Sequence, residues 1–125
     1  MEFKQFTEAL TIQIGSTFDP DPWTWSTGET EASALPVNLT GCSAEMHIRD
    51  NVDSETILLT LSTANGRLVL GGIAGTIAPI IQSADTSLIT WSKGVYDVRI
   101  TFPSGNVEYL VGGPVAAIKK VTRGG

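Results

Sequence analysis

One cysteine and one histidine, Cys42 and His47, stand in 125 residues. A lone cysteine allows no internal disulfide, which excludes a disulfide-dependent secreted scaffold. One Cys with one His also falls short of the ligand set of a structural zinc site. Basic residues are few. Eight Lys and Arg against thirteen Asp and Glu leave a net charge of −5. Nucleic-acid binding rests on clustered Lys and Arg, so no nucleic-acid partner is expected. No apolar run approaches the ~20 residues that span a bilayer, so no membrane insertion is expected. Residues 1–5 lack a basic stretch leading into an apolar core, so the chain reads as one without a signal peptide, folded in a cytoplasm. Long helical periodicity is missing too.

What the chain does have is alternation. Hydrophobic residues make up 42% and charged residues 17%, which fits a folded domain rather than a disordered one. In residues 94–111, Tyr96, Val98, Ile100 and Phe102 are apolar at every second position. A period of two places them on one face of a strand. Pro103-Ser104-Gly105-Asn106 supplies a turn, and Val107, Tyr109 and Val111 resume the pattern. The matching register pairs Phe102 with Val107, Ile100 with Tyr109 and Val98 with Val111. All of these then face the core.

The rest of the chain follows the same grammar. Leu10, Ile12 and Ile14 mark a first strand. Residues 16–36 are the least regular part: Pro20 and Pro22 cannot sit inside a central strand, so an edge strand near 18–25 and a long exposed loop to 36 are expected. Ala44, Met46 and Ile48 face in from a strand at 43–49, with Ser43, Glu45, His47 and Arg49 facing out. Another strand covers 57–61, and Asn65-Gly66 is a strong two-residue hairpin signal. Pro79 argues for an edge position of the strand at 76–81. Residues 83–88 form the one short helix, with Ser83 as its N-cap and Asp85 in the first turn. Gly112-Gly113-Pro114 separates the hairpin from a last strand or arm at about 115–125. The expectation is an all-β chain: one antiparallel β-sandwich domain, 1–125, of about 7–9 short strands.

No catalytic set converges in the sequence. His47 lies on the polar face of a regular strand and reads as a solvated or interface residue rather than a base. Cys42, at a strand entrance, reads as a small packing residue rather than a nucleophile. Asp19 with Asp21, or Asp50, Asp53 and Glu55, lack the spacing of a calcium loop and serve better as turn formers. No enzyme activity, cofactor or metal is expected. Trp91, Tyr96 and Tyr109 read as core. Trp23 and Trp25 point the same way on a Pro-flanked edge, so Phe18, Trp23 and Trp25 become candidate partner contacts, with a host glycan as the second choice of ligand. Lys119, Lys120 and Arg123 form a short basic end that suits an acidic neighbouring subunit.

Three pieces carry a resemblance: Pro36-Val37-Asn38-Leu39-Thr40-Gly41 before the strand ending Ile48-Arg49; Leu61 with Asn65-Gly66-Arg67, then Gly75-Thr76-Ile77; and Trp91 to Leu110 with Gly94-Val95-Tyr96-Asp97 and Phe102-Pro103-Ser104-Gly105. Their order resembles small proteins encoded among the tail genes of tailed bacteriophages. It is similar to the N-terminal immunoglobulin-like domain of siphophage upper baseplate proteins, which usually have Asp where this chain has Asn38. The resemblance implies an immunoglobulin-like β-sandwich and a structural or adaptor role in a virion, in the tail, baseplate or fibre-attachment region. A capsid-decoration or head–tail junction role is the neighbouring alternative, and a carbohydrate-binding module the one from another class. It implies assembly in a host bacterial cytoplasm, with other virion proteins and symmetric copies of this chain as partners. It carries over no catalytic residue.

Overall fold

The computed structural model describes residues 6–27 and 35–121. In chain order they form β1 (Phe6–Thr7), β2 (Leu10–Gln13), β3 (Trp23–Thr24), β4 (Ser26–Thr27), β5 (Leu35–Pro36), β6 (Ser43–Arg49) and β7 (Ile57–Ser62). Then come β8 (Leu68–Leu70), β9 (Thr76–Pro79), the helical turn α1 (Ser83–Thr86), β10 (Lys93–Thr101) and β11 (Val107–Ile118).

The large sheet is ordered β11-β10-β6-β7, all antiparallel, with β1 and β2 both pairing parallel along the far side of β11. The small sheet is ordered β3-β9-β8, and β4 with β5 makes a separate ribbon. Strict alternation explains β6: Ala44, Met46 and Ile48 are buried while Ser43, Glu45, His47 and Arg49 face outward. The same parity puts Tyr96, Val98 and Ile100 of β10 into the core between the sheets. Read along the chain, the two sheets reproduce the D-E-B and G-F-C-C′ order of an immunoglobulin variable-type sandwich. The fold is therefore an all-β immunoglobulin-like sandwich.

A ring pair joins the sheets. Trp23 of β3 stacks on Tyr96 of β10, ring centroids 6.2 Å apart and planes 14° from parallel. These are the strands that a disulfide links in antibody domains, a link this chain cannot make with one cysteine. Glu8 clamps both rings: the Trp23 indole N–H donates to its carboxylate, and the Tyr96 hydroxyl donates to its carbonyl at 2.7 Å.

Phe18, Trp23 and Trp25 are core residues, only 8%, 6% and 1% exposed. The edge position expected for this stretch holds, since β3 ends the small sheet, and what is corrected is the exposure of these three side chains. Phe18 bridges Ile81, Trp23 pairs with Ile77, and the Trp25 N–H donates to the Gly75 carbonyl, so this Pro-rich stretch is stitched onto β9. Pro79 is consequently in a central strand, not an edge. Gly75 and Ile81 direct their backbone groups towards the 18–25 segment, so the missing N–H of Pro79 faces the same way. The residues opposite, 19–22, form no strand, and no ladder bond is lost.

Further expectations are corrected. The hairpin register holds at Val98 with Val111, but Arg99 pairs with Tyr109 and Ile100 with Glu108. A bulge inserts Leu110, which is buried beside Val111, so Val107 and Tyr109 turn to the surface. Of the last strand or arm expected from 115, residues 115–118 are strand: they continue β11 and are held between β10 and β2. Gly112-Gly113-Pro114 does not break that strand. The absent N–H of Pro114 faces the interruption between β1 and β2, and Gly113 allows the Glu8 backbone to approach where a Cβ would lie 2.4 Å from its carbonyl oxygen.

Asn65-Gly66 makes no hairpin, since β7 and β8 belong to different sheets. It forms a corner. Asn65 Oδ1 accepts from the Ser62 and Arg67 backbone N–H groups, while Asn65 Nδ2 and Arg67 Nη1 both donate to the Thr60 carbonyl. The Ser62 N–H and Thr60 carbonyl point outward from β7, so the corner covers the C-terminal end of its free edge. The helical turn starts at Ser83 as expected in place, but its N-cap is Gln82. Within it Thr86 is fully buried; its hydroxyl donates to the Ser16 carbonyl at 2.8 Å and accepts from the Gly15 N–H.

Candidate interaction face

A hollow of about 600 Å³ lies on the outer face of the large sheet. Its floor and walls include Glu45, His47 and Arg49 of β6, Asp97 and Arg99 of β10, and Tyr109 of β11. A second hollow of about 520 Å³ adjoins it across Asp97, Tyr109 and Gly113. The strands explain the placement. Alternation turns the polar residues of β6 and β10 outward, the bulge at Leu110 brings Tyr109 out beside Arg99, and Gly112 and Gly113 leave the sheet bare between them.

The charges are organised across strands. Arg99 Nη2 meets Glu45 Oε1 at 2.8 Å, and His47 Nε2 meets the same oxygen at 3.2 Å. Arg49 Nη2 lies 3.4 Å from His47 Nδ1, and its Nη1 donates to the Ser54 carbonyl at 2.8 Å. A neutral imidazole with its proton on Nε2 satisfies both neighbours, donating to Glu45 and accepting from Arg49. Asp97 has no ion pair among the described residues. Tyr109 is 44% exposed.

His47 is engaged on both ring nitrogens, by Glu45 and Arg49. Cys42 is half-buried, and burial pushes its thiol up, away from the reactive thiolate. Among the described residues no three His, Cys, Asp or Glu side chains gather as metal ligands, and no helix is long and apolar enough to cross a membrane.

The expected contact residues scatter. Phe18, Trp23 and Trp25 lie inside, so the tryptophan pair offers no platform to a glycan or a partner. Lys119 is exposed and Lys120 half-buried just after β11, while Arg123 lies outside the described residues. Of the three aromatics assigned to the core, Tyr96 is there, Trp91 is half-buried against it and Tyr109 is at the surface. The sequence signal for Tyr109 is the adjacent apolar pair Leu110-Val111, which breaks the period of two.

The geometry thus defines an immunoglobulin-like sandwich that presents a sheet face. Among solved structures it is similar to the extracellular domains 3–5 of Drosophila OTK, with 15% sequence identity and a TM-score of 0.36. That match covers 91% of this chain and 33% of the other, so this chain spans about a third of the structure it matches. No protein-family profile and no curated protein matches.

Proposed function

We propose that this chain is a non-enzymatic structural or adaptor protein of a tailed-bacteriophage virion, working in the tail, baseplate or fibre-attachment region. The observation that carries this reading is where the landmarks of the resemblance fall. Leu39-Thr40-Gly41 turns the chain into β6, Gly94 to Asp97 lies in β10, and Pro103-Ser104-Gly105 closes the β10–β11 hairpin. These landmarks shape the large sheet and hold out its polar face, while the middle piece of the resemblance falls at the Asn65 corner and in β9 of the small sheet. A face of paired charges around an exposed tyrosine suits docking to neighbouring subunits, and repetition around a tail axis multiplies modest contacts into firm attachment. Lys119, beside that sheet, adds a cation for an acidic neighbour.

Immunogold labelling of purified virions with an antibody to this chain tests the proposal. Label at the tail or baseplate is expected. Label on the head would move the protein to a decoration or junction role, and bare particles would remove the virion reading.

A further inference from the structure

We infer that the outer face of the large sheet is a homotypic interface, on which a second copy of this chain docks about a two-fold axis that lies between the two copies' sheets, runs across the strands and passes over the midpoint of Asp97 and Arg99. This deepens the adaptor reading by naming a partner, and it rests on that reading for its purpose.

Charge makes the first case. On this face Glu45 and Asp97 are balanced by Arg49 and Arg99, with Lys93 at the far end. On the other surfaces, among the described residues, carboxylates outnumber Lys and Arg, in a chain of net charge −5. Two copies repel one another through those surfaces and meet without net repulsion through this one.

Register makes the second. β10 occupies the middle of the sheet, and Asp97 and Arg99 flank its centre on the same outward parity. A two-fold axis between them sets Asp97 of each copy opposite Arg99 of the other. Asp97 is the carboxylate of this face left without an ion pair among the described residues. Arg99 spends one nitrogen on Glu45 and keeps further donors. The same axis keeps each strand over its own copy, so Tyr109, next to Arg99 on β11, lies over the second copy's Gly112, next to Asp97 on the same strand. Gly112 lines the smaller hollow, which gives the tyrosine ring a place to enter. Glu45, next to Arg99 on β6, meets the second copy's His47, next to Asp97 on that strand. An isologous contact needs this kind of self-complementarity. Five strands by seven residues span a plane of about 500 Å², towards the low end of specific interfaces.

The test is the mass of the purified chain by sedimentation equilibrium from about 1 to about 500 μM. A reversible monomer–dimer equilibrium is expected. Asp97→Arg and Arg99→Asp each place like charges in contact twice and should weaken the dimer about tenfold or more, with unchanged circular dichroism. The double variant Asp97→Arg/Arg99→Asp restores opposite charges and should recover most of the affinity. Tyr109→Ala should weaken it without rescue by either. A monomer throughout the range, a dimer indifferent to both single reversals, or no recovery in the double variant would each overturn the inference. The two proposals fail separately: labelled virions with a monomeric chain refute only this interface, and a dimer absent from virions refutes only the virion role.

Discussion

In the large sheet β10 and β11 run for nine and twelve residues, whereas no strand of the small sheet exceeds four. The large sheet is held by long backbone ladders and can leave one face to solvent. The small sheet has few ladder bonds and depends on what its side chains bury: Trp23 and Trp25, Phe18, Leu68, Ile77 and Ile81. Its ends are tied by single polar contacts, Thr86 to the Gly15–Ser16 turn and Arg67 to Asp85 at 3.2 Å. A cover secured by packing tolerates little change, while a platform secured by backbone can vary its exposed residues.

That contrast sets the order of expected effects. Trp25→Ala should be the most damaging, costing about 3–5 kcal/mol in urea unfolding, because an almost fully enclosed indole leaves a cavity under the small sheet. Gly113→Ala tests whether the large sheet is as tolerant along its backbone as on its face. The new methyl meets the Glu8 carbonyl, and a loss of about 3 kcal/mol is expected from the same measurement. Thr86→Val keeps shape but strands the Gly15 N–H, so about 1–3 kcal/mol should be lost.

Tyr96→Phe probes the ring pair between the sheets. Burial, then the Glu8 carboxylate, pushes the Tyr96 phenol up from its usual value. The folded state therefore holds that proton more tightly than the unfolded one. Its stabilising share is complete below the ordinary tyrosine value of about 10 and is lost as pH rises beyond it. Thermal melts should fall steeply on the alkaline side of pH ~10 in the parent and less steeply in Tyr96→Phe, which also loses the bond to Glu8. The smallest effect belongs to the exposed face: Glu45→Ala should change stability by no more than about 1 kcal/mol. A large loss there would erase the distinction between cover and platform.

The sequence makes the platform legible and the cover obscure, for a physical reason. Long strands with one buried side print a period of two, so β6 and β10 can be read directly, inward residues included. Short strands print nothing. Residues 18–25 carry two prolines and no period, yet three aromatics there are buried because β9 supplies their backbone partners from more than fifty residues away. Tyr109 was concealed by the opposite means, a regular pattern interrupted by one inserted residue. The candidate face was half visible: Glu45, His47 and Arg49 announced their outward side, but their neighbours Asp97, Arg99 and Tyr109 meet them only through strand order.

The Asn65 corner bears on how such a molecule survives at high concentration. β7 is an apolar edge, Ile57-Leu58-Leu59-Thr60-Leu61-Ser62, without a charge or a proline. Left open, that ribbon could add strands from other chains without limit and grow into fibres. Asn65 and Arg67 occupy two of its outward groups, the Ser62 N–H and the Thr60 carbonyl. A strand adding here from another chain must first displace both side chains, which disfavours growth by edge addition at this end of β7.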